Sequence, residues 1–200
     1  MLSIVTKGIK EVEKAIKKDA KQMRFAAAVA LTRTAKIAAG DEKKLAAKKL
    51  VKPTPFTLRG FRFKKATKAK LESSVYIAPI QAEYLWWSVE GGRRAKRAKS
   101  GEALPVNIKL NQYGNIPARG KGKIKKLIDR PDTFLGTVRG VYGLWQRGSQ
   151  KNKIKLLLRF VPSTKYHRRF KFYDLAERAF KRHFGREFDK AFDEAIRTAR

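Results

Sequence analysis

Phe180, Phe184, Phe188 and Phe192 recur every four residues near the C-terminal end, with Ile196 one step further on. Four residues overshoot one α-helical turn by about 40°. On a helix these side chains therefore sweep a broad apolar face, which Ala176, Ala179, Ala191, Ala195 and Ala199 widen. The pattern predicts a helix over 173–200 whose face has to be covered by a sheet or by another chain. We expect the four phenylalanines to form a helix-to-sheet core.

The other end carries a second helical pattern. Ile9, Val12, Ile16, Ala20, Met23, Ala27, Ala30, Thr34 and Ile37 lie three and four apart, with lysines between them and Glu13–Lys17 as an i,i+4 pair. The run "RFAAAVALTRTA" is rich in alanine, so this helix can approach a neighbour closely. Gly40 is expected to end it, "DEKKLAAKKL" to start another, and Pro53 and Pro55 to stop that one. Between the ends the period changes. "LESSVYIA" alternates Leu71, Ser73, Val75 and Ile77, and "LPVNIKL" alternates Leu104, Val106, Ile108 and Leu110. "TVRGVYGLWQR" and "KIKLLLRFV" are rich in β-branched and aromatic residues, "NQYGNIP" is a turn signal, and "GKGKIKKLIDRPD" holds a short helix that stops before Pro131. The fold class expected is α+β, a small, mostly antiparallel sheet flanked by long N- and C-terminal amphipathic helices. Its parts are a helical arm over 1–52, a basic β-rich body over 53–172 with an exposed loop at 91–103, and the helix over 173–200, one domain overall.

Charge narrows the partners. The 49 Lys and Arg face 17 Asp and Glu, a net +32, and a field of that size favours polyanions or acidic protein surfaces. The acids gather at the two ends, so the middle is the polycation, with none between Lys43 and Leu71 or between Thr133 and Tyr173. A hydrophobic fraction of 42% suffices for a core, and the absence of cysteine removes disulfides and thiolate chemistry. No apolar run reaches the roughly 18–20 residues of a membrane span, and "MLSIVTKGIKEVEKAIKK" lacks a signal-peptide core. We expect a protein made soluble in the cytoplasm, with no membrane partner.

Catalytic patterns are missing. His167 sits among cations and His183 lies off the phenylalanine face; neither has a second histidine at ligand spacing. The middle acids Glu72, Glu83, Glu90, Glu102, Asp129 and Asp132 are scattered, whereas a nuclease needs clustered carboxylates for a metal. "RGKGK" lacks phosphate-loop spacing, and "GGRR" has no serine for a nucleophile elbow. We expect no catalytic residue, metal site, cofactor or small-molecule substrate. Basic clusters are plentiful. Arg62, Lys64 and Lys65 belong to one, Lys121, Lys123 and Lys125 to another, and Lys153 and Lys155 to a third, all suited to phosphate contact with aromatics as stacking platforms. "RGFRF" reads either as a stacking strand or as an edge strand shielded by its cations.

One segment combines these features. "QAEYLWWSVEGGRRAKRAK", Gln81 to Lys99, sets two tryptophans beside a lone carboxylate, two glycines and a basic run. Adjacent side chains point about 100° apart on a helix and to opposite faces of a strand. One tryptophan can enter the core while the other meets a partner, or both are covered within the monomer. Gly91 and Gly92 suit a tight turn. Trp86, Trp87, Glu90, Arg93, Arg94 and Arg97 are the candidate docking residues, with Glu90 as a salt-bridge acceptor.

The order of these motifs resembles a known class. A lysine-rich amphipathic helix, a β region, Tyr84 with Val89–Glu90–Gly91–Gly92, a basic loop, strands with a "YGNIP" turn and a terminal amphipathic helix follow one another. With "PTPFTLRGF", "QAEYL", "VEGGRR" and "LNQYGNIP", the chain resembles the tail-completion and minor tail protein Z class of double-stranded DNA bacteriophages. The resemblance implies a virion subunit without enzyme activity, ring- or neck-forming between tail tube and connector or capping the tube. Its implied partners are copies of itself in a ring, connector or tail proteins with acidic surfaces, and packaged DNA. A cytoplasmic nucleic-acid-binding protein and, further off, a metal-dependent nuclease remain the alternatives from composition alone.

Overall fold

In the computed structural model, which describes residues 3–7, 20–95, 101–117, 123–150 and 153–198, the alanine-rich stretch forms a single helix, α1 (Ala20–Lys49). It does not stop at Gly40. A glycine costs a helix interior only about 1 kcal/mol relative to alanine, and the packing of Ala35, Ala38, Ala39 and Ala46 on both sides of it outweighs that. The helical reading of the arm over 1–52 fails at its start, because Ser3–Lys7 is a strand, β1. Ile4, Val5 and Thr6 are β-branched, and this segment finds a pairing partner distant in sequence. Ile9, Val12 and Ile16 lie outside the described residues.

The architecture is α+β, with the chain dividing into two compact units, one of 1–90 with 168–200 and the other of 91–167. The expected body over 53–172 is therefore not one piece. In the first unit β1, β3 (Glu72–Ile77) and β2 (Phe61–Lys64) form an antiparallel sheet of order β1-β3-β2. Ser73, Val75 and Ile77 alternate into the core as the period-two pattern requires. β2 is an edge strand. Its Phe61 is buried edge-on against Phe170, while Arg62 and Lys64 face water. That arrangement favours the shielded-edge reading of "RGFRF". A one-turn helix, α2 (Pro55–Leu58), is capped by Thr54 accepting from the Thr57 amide, and α3 (Pro79–Val89) likewise opens on a proline. The core between helices and sheet gathers Ala35, Ala38, Val75, Ile77, Leu85 and Phe172.

The last helix, α5, spans Phe172–Thr198. Its phenylalanines pack on α1, not on a sheet. Phe184, with Phe180, Phe188 and Phe192 beside it, meets Ala26, Ala30 and Leu31. Alanine leaves room for the rings, which also follow one another at centroid spacings of 4.8, 6.0 and 6.2 Å. The drift of about 40° per step explains the one residue that leaves this face. Four steps beyond Phe180 it amounts to about 160°, and Ile196 is 53% exposed. Burial instead follows Phe184, Glu187, Ala191 and Ala195. Arg33 closes the helix pair with two hydrogen bonds to Glu194, at 3.2 and 2.7 Å.

Two residues of α1 break its buried apolar pattern, Thr34 and Glu42. Glu42 is completely buried, and neither carboxylate oxygen has a hydrogen-bond partner among the described residues. Burial, with a smaller push from Asp41, drives its pKa up to about 9. The side chain is therefore a neutral acid at pH 7.

The second unit holds a four-stranded antiparallel sheet of order β5-β8-β7-β6 and a two-stranded one of β4 with β9. Their spans are β4 (Gly92–Ala95), β5 (Glu102–Pro105), β6 (Thr133–Val138), β7 (Val141–Arg147), β8 (Ile154–Val161) and β9 (Ser163–Tyr166). The stretch 91–103 is thus partly strand, because β9 supplies the ladder that satisfies its backbone. The alternation expected over Leu104–Leu110 ends at Pro105, and only Ile108 of its later members packs on the core. A short helix, α4 (Ile124–Ile128), covers Leu144, Leu157 and Leu158 through Leu127. Gly143 lets β7 and β8 approach, since a Cβ there would lie 2.4 Å from the Leu158 carbonyl oxygen.

Two predictions follow from the first unit's core. Phe184→Ala is expected to lower stability by about 3–5 kcal/mol, and Ile196→Ala by less than about 1 kcal/mol, in urea unfolding. Glu42 is protonated when folded and ionised when unfolded between about pH 4.5 and 9. The stability this contributes is complete below pH 4.5 and is lost as pH rises through 9, at about 1.4 kcal/mol per pH unit. Glu42→Gln should abolish that slope and overtake the parent protein in alkaline buffer.

Candidate docking and polyanion-binding surfaces

Helix α3 places the tryptophan pair in the first unit. Its buried side is Gln81, Leu85 and Val89. Trp86 is 41% exposed and Trp87 half-buried. Ile80 at 64% and Tyr84 at 37% are also exposed, four residues apart on one stripe, with Trp86 more than 100° around the helix from it. Phe56 of α2, itself exposed, is tied to the same helix, because Gln81 donates to its carbonyl oxygen at 3.0 Å. Tyr84 shares a hydrogen bond of 3.0 Å with Thr57. Phe56, Ile80 and Tyr84 are thus exposed apolar side chains of α2 and α3, with Trp86 on a separate flank of α3. The sequence pattern pointed to Trp86 and Trp87 but not to Phe56 or Ile80, whose exposure depends on how α2 and α3 pack.

Glu90 caps the C-terminal end of α3 and accepts a hydrogen bond from Tyr173. Burial first, and then this bond, push the Tyr173 hydroxyl above its ordinary value. Glu90 is thus engaged within its own unit by a hydroxyl. Gly91 and Gly92 both adopt positive φ, 72° and 109°, as a turn at this point requires. The chain returns beside this helix, where the Ser88 carbonyl oxygen accepts from the amides of Arg169 and Phe170.

Arg93 and Arg94 fall in the second unit, on β4. Arg93 is exposed; Arg94 meets Glu102 at 3.5 Å. Glu102 also accepts from Thr164 at 2.8 Å and from Tyr166 at 3.5 Å, so it joins β4, β5 and β9. Arg97 lies outside the described residues, as does Lys121. The six candidate docking residues therefore do not form one cluster within either unit.

Of the candidate polyanion contacts, Arg62, Lys64 and Lys65 are exposed in the first unit, and Lys123, Lys125, Lys153 and Lys155 in the second. The second unit has 19 Lys and Arg against 3 Asp and Glu, a surplus of 16, which is half of the chain's total. Lys153 and Lys155 belong to a concavity of about 930 Å³ on the β6–β7–β8 sheet, where they are joined by Arg139, Arg147 and Trp145. Its one acid, Asp132, is bound by Arg130, through Nε at 2.9 Å, and by Gln146 at 2.7 Å. Those two donors hold its carboxyl below the usual carboxylate range. Sequence order hides this arrangement, because the hairpin and β8 bring its members together from positions 132 to 155. The one cue in the chain is "RG" at 139–140, set between two β-rich stretches.

Among the described residues no three of His, Cys, Asp and Glu come together as metal ligands, and no helix is long and apolar enough to cross a membrane. His167 is exposed and His183 half-buried, its Nδ1 lying 3.5 Å from Arg186. No family model, curated protein or solved structure matches the chain.

Burial separates the two indoles by measurement. Trp86→Ala should change stability by less than about 1 kcal/mol. Trp87→Ala is expected to cost clearly more in the same thermal melts, and equal costs would contradict the orientation of α3.

Proposed function

We propose that the chain is a structural virion subunit of the tail-completion or minor tail type, working by docking and not by catalysis. One observation carries the reading: large apolar side chains exposed on α2 and α3, Phe56, Ile80, Tyr84 and Trp86, on a chain of net charge +32. Large apolar side chains held rigid at a surface are typical interface anchors. A body this cationic is balanced by acidic neighbours or by DNA. The exposed side chains of α2 and α3 would join copies of the chain side by side in a ring, and the basic surfaces would meet connector or tail proteins, or packaged DNA. Contacts that are individually weak add up around a ring. A second reading, a nucleic-acid-binding protein, is favoured by the basic concavity of the second unit.

Salt separates the two mechanisms. Apolar self-docking of like-charged subunits strengthens as salt screens their repulsion, whereas polyanion binding weakens. Light scattering across concentration and salt should show oligomers favoured by salt, with Trp86→Ala and Ile80→Ser each raising the association midpoint about tenfold, the effect of losing roughly 1.4 kcal/mol. A monomer at every concentration and salt would sink the assembly reading.

A further inference from the structure

β6 and β7 are joined through Arg139 and Gly140, with Val138 paired to Val141, and both loop residues have positive φ, 50° and 77°. A two-residue hairpin of this kind is a type I′ turn, which prefers asparagine, aspartate or glycine at its first position. Arginine there forgoes turn stability, and its side chain lines the concavity beside Arg147, Lys153 and Lys155. Strain kept at one position is a pointer to function when the strained side chain faces a built surface.

The rest of the lining agrees. Arg147 lies over the Phe134 ring, 4.8 Å from its centroid, which pre-positions the guanidinium. The Trp145 indole N–H donates to the Gly136 carbonyl oxygen at 3.1 Å, which holds the ring in the wall. Val138, Trp145 and Ile154 are the only large apolar residues of the lining. The centre of a protein–protein interface has the opposite composition, depleted of charge. A volume of about 930 Å³ is in the range of pockets that enclose a small ligand, about 300–1,000 Å³. The concavity is open to solvent and large enough to admit a strand of a few nucleotides.

Resting on the reading that the basic surfaces meet polyanions, we propose that this concavity binds a single strand of nucleic acid. Arg139, Arg147, Lys153 and Lys155 hold its phosphates, and Trp145 stacks on a base. Anisotropy with a labelled oligo(dT) 20-mer tests it on the full chain, against Arg139→Asn, the double variant Lys153→Ser/Lys155→Ser, and Lys48→Ser/Lys49→Ser, which removes equal charge from the exposed end of α1 in the first unit. Arg139→Asn should melt higher than the parent protein yet bind several-fold more weakly. The lysine pair should weaken binding about tenfold and flatten the log–log salt slope by about 1.4, at roughly 0.7 per cation. The first-unit control should change affinity less than about twofold. Equal losses in that control would reduce the effect to overall charge and overturn the site. So would a 20-base-pair duplex losing affinity by the same factors, or poly-glutamate competing as well as unlabelled oligonucleotide. Self-association through α3 should survive in all these variants. Its loss in Trp86→Ala with oligonucleotide binding intact separates failure of one reading from failure of the other.

Discussion

The first unit depends on how closely α1 and α5 can approach. Aromatic rings every four residues on one helix need a partner surface without bulk, and Ala26 and Ala30 supply it. Phe184, the buried ring, gains about 1.5–3 kcal/mol because Ala26 and Ala30 facing it end at Cβ. Replacing that smooth surface by larger side chains would hold the helices apart along their whole contact. The Arg33–Glu194 fork adds little to this, since both side chains remain more than a third exposed. The sheet then takes the other side of α1 through Ala35, Ala38 and Ala46, with Phe61, Val75 and Ile77 across from them.

Local periodicity conveyed much of this architecture. The C-terminal helix, the alternation of β3, the turn at Asn111–Asn115 and the short helix before Pro131 are all visible in patterns of a few residues. What periodicity could not convey was pairing at a distance. Ser3–Lys7 becomes a strand because β3, some seventy residues away, offers an edge, and 92–95 becomes one because β9 does. The covering of α5 by a helix instead of a sheet is likewise a choice among partners that an apolar face alone does not make.

The candidate sites divide in the same way. Trp86 was legible as a large apolar side chain, but its exposure depends on how α3 packs, since it lies three residues from the buried Val89. Glu90 was read as a partner for arginines, yet the hydroxyl of Tyr173 reaches it. The concavity of the second unit was half-visible, since Lys153 and Lys155 stand out as cations while Arg139 and Arg147 are isolated in sequence. Three-dimensional neighbours, not runs of charge, define that surface.

The phenylalanine ladder of α5 also creates an ambiguity that the fold has to resolve. Rings repeating at nearly one helical turn are close to interchangeable, so sliding α5 along α1 by about 6 Å with a turn of about 40° would set each ring where its neighbour had been. Apolar burial alone scarcely distinguishes the two alignments. Arg33 and Glu194 do, because their two-pronged bond has a single matching position, and so does Phe172, which is wedged among Phe170 and Tyr173 at the helix start. A contact of small energetic weight thereby acts as an index mark, selecting one seating from several of similar comfort.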